Sequence, residues 1–277
     1  MRFRVLLPAS LVCDVSDLRQ KTLKIGIVGR ALAIFRVDSV WIYDDHEPKV
    51  KNPQEEMNLI KLILEYMETP QYLRKILFRK KEELKFAGML PPLRTPHHPS
   101  VHERSSRQQI REGAVISSKG GKSIVELGLP KRGLLSEEVK PGTRITVRIL
   151  KDIGDYLIVE EVRKEEVKDY WGYRVYTAPS LSEAVRMSRS GFMIGTSKHG
   201  RNLEDVMHLL KSVRDPLTVA FGGPYAGLFE ICAREGVKTE DLFDMVINMV
   251  PGQGTETVRT EEALIASLAI LNVLRSI

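Results

Sequence analysis

An apolar run from Met245 to Val250 enters a loop holding Pro251, Gly252 and Gly254, and the loop leads into the amphipathic run EEALIASLAILNVL. The spacing predicts a strand, a tight small-residue loop and a helix. Glycine has no Cβ, so such a loop lets backbone N–H and C=O groups come close to a ligand. It falls at the carboxyl end of an expected parallel strand, where open α/β sheets bind their ligands. The preceding unit repeats the pattern. In VAFGGPYAGL a strand runs into Gly222, Gly223, Pro224 and Tyr225, with Gly227 opening the next helix. Two such loops in consecutive units predict one shared cleft. A third strand-to-helix turn, GTSKHGRNL, adds Lys198, His199 and Arg201 beside a helix start, where an anion is favoured.

The flanking sequence alternates in the same way. FRVLLPA and SVWIYDD read as strands around a helix that Ser16 or Asp17 can cap. Asn52-Pro53 and Thr69-Pro70 each set a proline at a helix start. From Tyr170 the strands YRVYTA, GFMIGTS and PLTVAFGG alternate with helical segments, one of them capped by Asn202. The character changes at GMLPPLRTPHHPS, where Pro91, Pro92, Pro96 and Pro99 exclude a helix interior or a central strand. Beyond this linker, GAVISSK and KSIVELG flank Gly120-Gly121, a hairpin signal, and TRITVRIL and DYLIVEEV follow. Short strands with glycine turns suit a small OB-type β-barrel. The expected organisation is a discontinuous α/β domain, 1–92 plus 169–277, interrupted by an inserted barrel at 93–168.

Charge is strongly localised. Tyr72 to Arg111 holds ten basic residues against three acidic ones, while the whole chain is +6, so the remainder is close to −1. Clustered cations release counterions from a phosphate backbone, which points to nucleic acid and, within the strip, to Arg74, Lys75, Arg79, Lys80 and Lys81. Cys13 and Cys232 lie far apart in no motif, which suits a reducing cytoplasm. No run of about 18 apolar residues predicts a membrane span, and MRFRVLLPASLV reads as a first strand, not as a signal peptide.

Two further clusters could carry chemistry. Arg30 is the only polar side chain in IGIVGRALAIF, which reads as a buried helix, and a buried arginine needs an anionic or hydrogen-bonding partner. It serves either a structural salt bridge or a reacting oxygen. His97, His98 and His102 with Glu103 have conceivable metal spacing, but the segment is broken by prolines and lacks cysteine, so no metal is expected. KGGKS lacks the earlier glycine of a phosphate loop, and no G-x-G-x-x-G, G-x-S-x-G or H-E-x-x-H is present.

Taken together these residues resemble the SPOUT class, the α/β-knot RNA methyltransferases. The first motif of that class looks like IGIVGRALAIFRVDSVWIY, with Arg30 at the motif arginine and Arg36 where glycine is usual. The second is similar to FGGPYAGL, with Pro224 at a glutamate position. The third looks like INMVPGQGTETVRTEEA, with Thr257 for serine, Val258 for leucine and Arg259 for asparagine. TPQYLRKILF, GMLPPLRTPHHP, GTSKHGR and VPGQGTETVRTEEAL are similar to hallmarks of an archaeal and eukaryotic subfamily with an inserted OB-like barrel, described as uridine N3 methyltransferases of ribosomal RNA.

The resemblance implies a C-terminal trefoil knot, a homodimer and S-adenosylmethionine as cofactor. It assigns the cofactor to Gly222, Gly223, Pro224, Tyr225, Gly227, Met249, Val250, Gly252, Gln253, Gly254, Thr257 and Val258. Arg30 becomes the catalytic electrostatic residue. Lys198, Arg201 and Arg259 join the basic strip as RNA contacts, with the RNA site shared between subunits. The competing class is a non-catalytic RNA-binding scaffold on the same fold, for which Pro224 and Arg259 are the best support.

Overall fold

The computed structural model describes residues 3–99, 109–213 and 216–275; His102, Glu103, Arg104 and Arg107 lie outside them. In chain order come β1 (Phe3–Pro8), α1 (Leu18–Ile34), β2 (Val37–Tyr43), α2 (Pro53–Glu68) and α3 (Gln71–Leu77). Five strands follow: β3 (Ile110–Lys119), β4 (Lys122–Glu126), β5 (Arg132–Leu135), β6 (Arg144–Asp152) and β7 (Tyr156–Glu161). The chain then returns to alternation through β8 (Arg174–Ala178), α4 (Leu181–Ser188), β9 (Phe192–Asn202), α5 (Leu203–Ser212), β10 (Leu217–Ala220), α6 (Leu228–Arg234), α7 (Thr239–Leu242), β11 (Met245–Asn248) and α8 (Thr260–Leu274). It divides into two compact units, residues 1–65, 85–91 and 173–277, and residues 66–84 with 92–172.

The first unit is a wholly parallel sheet in the order β11-β9-β10-β1-β2-β8. Its central strands are apolar without alternation because helices cover both faces; Leu6, Leu7, Val40, Ile42 and Val219 are fully buried. Asp17 caps α1 by accepting from Gln20 N at 2.9 Å, and Ser180 caps α4 by accepting from Glu183 N at 3.1 Å. Asn202 stands at the α5 N-cap, but its side chain makes no cap bond. At the α1–β2 turn Arg36 has φ +54°, the left-handed conformation that glycine adopts freely, so the arginine occupies a glycine's backbone geometry.

Helix α1 departs from expectation. Ile25–Phe35 reads as buried on every side, yet Leu23, Ile27 and Ile34 are 39%, 45% and 57% exposed. Arg30 is half-buried on that same face, at helical spacing from all three.

The second unit is a closed barrel, β3-β4-β5-β7-β6, antiparallel except for β5 with β7. Gly120 and Gly121, at φ +62° and +74°, make the expected β3–β4 hairpin turn. The four-residue β5 has no strand-length pattern to betray it. Residues 66–84 pack with this barrel, whereas the sequence assigned them to the α/β domain. Polar side chains hold them there: Tyr72 Oη donates to Glu112 O at 2.8 Å, and Arg111 Nε donates to Leu127 O at 3.0 Å with its guanidinium over the Tyr72 ring.

The main tie is a buried ionic cluster. Arg144 bridges Glu68 and Glu112, each at 2.5 Å, and Trp171 Nε1 and Thr146 Oγ1 both donate to Glu112 Oε1 at 2.6 Å. His97 Nε2 lies 3.2 Å from Glu68 Oε1, and both His97 and His98 donate to Glu68 O. Burial pushes the Glu68 carboxyl up, but Arg144, His97 and Lys164 together outweigh it and hold it well below the carboxylate range. Burial and the neighbouring His97 lower His98 to about 3, so its ring is neutral. The two histidines considered for a metal are thus committed to Glu68.

Glu68→Gln leaves Arg144 half-paired in a buried setting, at a cost of about 3 kcal/mol. A depressed carboxylate contributes stability above the unfolded value of about 4.3 and loses it only as pH falls towards the folded value. Urea unfolding should therefore show a wild-type advantage that is level at neutral pH and shrinks only in strong acid.

Candidate functional site

The carboxyl ends of β9, β10 and β11 lie side by side, and each is built differently. β9 pairs with β11 at Ile194–Met245 and Gly195–Val246, then resumes at Arg201–Ile247 and Asn202–Asn248. Thr196–Gly200 therefore bulge out of the ladder, where the sequence had suggested a plain strand-to-helix turn. The bulge is pinned. Thr196 Oγ1 donates to Ala220 O at 2.9 Å, Asn248 Nδ2 donates to Lys198 O at 3.3 Å, and His199 N donates to Ser197 Oγ at 3.2 Å. At Gly200 a Cβ would stand 2.8 Å from the Ile247 backbone, so only glycine returns the chain to the sheet.

β10 ends in the loop Phe221–Gly227. Tyr43 Oη donates to Phe221 O at 2.6 Å, Gly223 N to Ala226 O at 2.9 Å, and Thr260 Oγ1 to Gly222 O at 2.9 Å. A Cβ on Gly222 would come within 2.9 Å of Gly227 Cα, which closes the turn to any larger residue. Tyr225 Oη donates to Cys13 O at 2.8 Å, and Lys49 lies 4.3 Å over the Tyr225 ring. After β11, Asn248 Oδ1 accepts from Val250 N at 3.1 Å and Gln253 Nε2 donates to Thr255 O at 2.9 Å. Arg259 N donates to Glu262 Oε2 at 3.0 Å as α8 begins.

Between these ends lies a cavity of about 430 Å³. Gly222, Gly223, Pro224, Tyr225 and Gly227 form one wall, and Met249, Val250, Gln253, Thr257 and Val258 another. Lys198 and Arg259, expected as RNA contacts, line it too. Gly252 and Gly254 do not; they stand in the exposed part of the loop. Arg30 also lies off the cavity lining, and Arg201 stands past the bulge. In the barrel unit Lys75, Arg79, Lys80 and Lys81 are exposed. Arg74 is turned inward, donating to Thr69 O and Met67 O at 2.9 and 3.1 Å, with its guanidinium over Tyr66.

Sequence reading missed Asp14, Thr196, Ser197, Glu230, Asn248 and Ser267 on the lining. Only Asn248, at the tip of an apolar strand, carried a usable signal. Asp14 is paired with Lys24 at 2.6 Å, and Lys24 also faces Glu261 at 3.2 Å. Asp45 sits behind the Gly223 turn and accepts from Ser10 N at 3.1 Å; burial pushes its carboxyl up against that bond. Burial, with Glu56 second, raises Cys13 to about 11, and burial, with Glu235 second, raises Cys232 to about 12. Both thiols stay protonated at neutral pH, so no thiolate nucleophile serves the cavity. Among the described residues no His, Cys, Asp or Glu cluster could hold a metal ion, and no helix is long and apolar enough to cross a membrane.

The family described as "Putative RNA methyltransferase" matches residues 2–271. The chain belongs to this family. A human protein named 28S rRNA (uridine-N(3))-methyltransferase is 33% identical over 96% of this chain and 77% of its own length. The Drosophila melanogaster protein of the same name is 33% identical over 96% of this chain and 61% of its own. A protein of Halobacterium salinarum is 33% identical over 97% of this chain and 98% of its own. The parallel sheet and closed barrel are the architecture expected of a SPOUT methyltransferase carrying an insert. The protein is a methyltransferase, and its reaction requires a methyl donor.

Thr260 is buried and its hydroxyl satisfies the Gly222 carbonyl. Thr260→Val strands that carbonyl, at a cost of about 1–2 kcal/mol. Thermal unfolding should register the loss, and amide exchange should quicken at Gly223 more than in β1.

Proposed function

We propose that this protein methylates N3 of a uridine in ribosomal RNA, with S-adenosylmethionine as donor, and works as a cytoplasmic homodimer. The cavity carries the reading: small-residue loops at adjacent strand ends, in a chain that resembles named uridine N3 methyltransferases over nearly its whole length.

The residues present fit that cofactor. The cavity is within the range of small-ligand sites, about 300–1,000 Å³. Gly222 and Gly223 offer backbone groups to an adenosine with no side chain between. Ser267 Oγ, buried at the wall, has no hydrogen-bond partner among the described residues. The Gly222–Gly227 and Met249–Val258 segments would hold the adenosine, Gly252 and Gly254 keeping the second loop slender.

When bound, the cofactor supplies an electrophilic methyl sulfonium. The protein must hold the base in line with it and stabilise the charge that develops when uridine loses its N3 proton. Lys198 and Arg259 bring cations to the cavity for that purpose. Arginine stays charged and so orients and stabilises but does not accept the proton.

The exposed apolar face of α1 supports the homodimer. Leu23, Ile27 and Ile34 stand out on α1, and Ile265 and Val273 on α8, which packs against it. Apolar stripes of this kind mark association surfaces. Arg30 shares the α1 face, so a second copy docked there would hold Arg30 at the interface, and we propose that it serves the partner's cavity and makes the RNA site a shared one. In this reading the β11–α8 segment forms the trefoil knot, the discontinuous α/β domain is the catalytic body, and the inserted barrel grips RNA through Lys75, Arg79, Lys80 and Lys81.

Mass mapping of nucleosides after incubation with ribosomal RNA and labelled cofactor should find 3-methyluridine; a different methylated nucleoside would displace the N3 assignment. Arg30→Ala should keep calorimetric cofactor affinity and lose about 10²-fold in methyl transfer. Gly222→Val should lose cofactor binding. If Arg30 serves the partner's cavity, a re-equilibrated equal mixture of these two inactive variants should recover roughly a quarter of wild-type sites, whereas a site confined to one chain recovers none.

A further inference from the structure

We infer that His199 is the general base that removes the N3 proton of the target uridine. The inference rests on the proposed reaction, because only a nucleophile that must first lose a proton needs such a group.

The bulge is the first observation. Thr196–Gly200 leave the β9–β11 ladder between its two paired stretches, and the segment is pinned by Ala220 O, Asn248 and the Ile247 backbone. Bulges cost ladder bonds and recur where a side chain must be re-aimed beside a site. This one sets Ser197, Lys198 and His199 on the lining of the cavity.

The second observation is the chemistry of the other ionisable groups there. Lys198 and Arg259 are cations suited to stabilising an anion. Tyr225 already donates its hydroxyl to Cys13 O, and Asp14 is paired with Lys24. Glu230 and Glu256 remain, but carboxylates are far weaker bases than imidazole towards a weakly acidic N–H. His199 is the one imidazole on the lining, and among the described residues its ring has no partner, its only hydrogen bond being made by the backbone N–H.

The step balances. A neutral ring nitrogen of His199 accepts the N3 proton, and the N3 lone pair forms the bond to the methyl carbon. The carbon–sulfur bond breaks with its electron pair on sulfur, giving S-adenosylhomocysteine. The imidazolium then returns its proton to solvent. Lys198, beside His199 in the bulge, and Arg259 hold the anion in the interval.

Single-turnover rates at saturating RNA and cofactor test this across the range of pH in which imidazole titrates. The wild-type rate should fall in acid as the base is protonated and level off above. His199→Ala and His199→Gln should be about 10²–10⁴-fold slower at neutral pH and climb steadily with pH. Added imidazole should restore part of the alanine variant's rate. Both variants should gain from RNA carrying 5-fluorouridine, whose N3 proton is more acidic. Calorimetric affinities for S-adenosylhomocysteine and RNA should be unchanged. A wild-type pH profile retained in both variants, or a loss confined to RNA affinity, would overturn the assignment of His199. Absence of 3-methyluridine with the wild-type protein would instead overturn the proposed reaction and the base with it.

Discussion

Parallel pairing of β9 with both β10 and β11 is the constraint from which the site follows. Parallel neighbours end on the same edge, so the three loops that leave those ends must share one rim. Helices cover both faces of the sheet, which leaves that rim as the place where backbone and polar side chains can meet a ligand. The loops are then held by single bonds to rigid neighbours. Tyr43 holds Phe221, Thr260 holds Gly222, and Asn248 holds both Lys198 and Val250. Each of these residues lies at a strand or helix end, so the site inherits its precision from the sheet.

The positive charge of the chain is less freely available than its count suggests. Arg74 and Arg111 lie in the basic strip by sequence, yet Arg74 satisfies the carbonyls that end α2, and Arg111 is buried against Leu127 and Tyr72. Their cost of burial is met by carbonyl acceptors and aromatic faces. Among the described residues of the strip, Lys75, Arg79, Lys80, Lys81, Lys85 and Arg94 are the ones that reach solvent. A clustered charge therefore identifies a strip, and only packing separates its solvent-facing members from its structural ones.

The elements were largely legible because helix starts carry chemistry that acts locally. Asp17, Ser180 and the Asn52-Pro53 pair all begin helices as their side chains dictate. The two loop walls were legible for the same reason, since glycine clusters mark close approach. Long-range polar contacts were not. Nothing in the spacing of Glu68, Glu112, Arg144 and Trp171 says that they meet, and their meeting is what draws residues 66–84 to the barrel. The face of α1 was misread because isoleucine is apolar whether it is buried or offered to solvent. The bulge escaped notice because β9 continues as a strand on either side of it.

The departures from the SPOUT pattern bear on activity through backbone and charge separately. Arg36 keeps the left-handed turn that glycine would have made, so the α1–β2 connection survives the substitution. Pro224 keeps its place in the loop wall, and the turn is closed by Gly223 N and Ala226 O, which involve no side chain. Arg259 begins α8 through its own N–H and Glu262, again without using the side chain that changed. What the substitutions alter is charge. Proline in place of glutamate removes a negative charge, and arginine in place of asparagine adds a positive one. Both changes make the cavity more positive, the sign of charge that favours anionic ligands. Pro224 and Arg259 both line the cavity, and the hydrogen bonds that shape its loops use neither side chain.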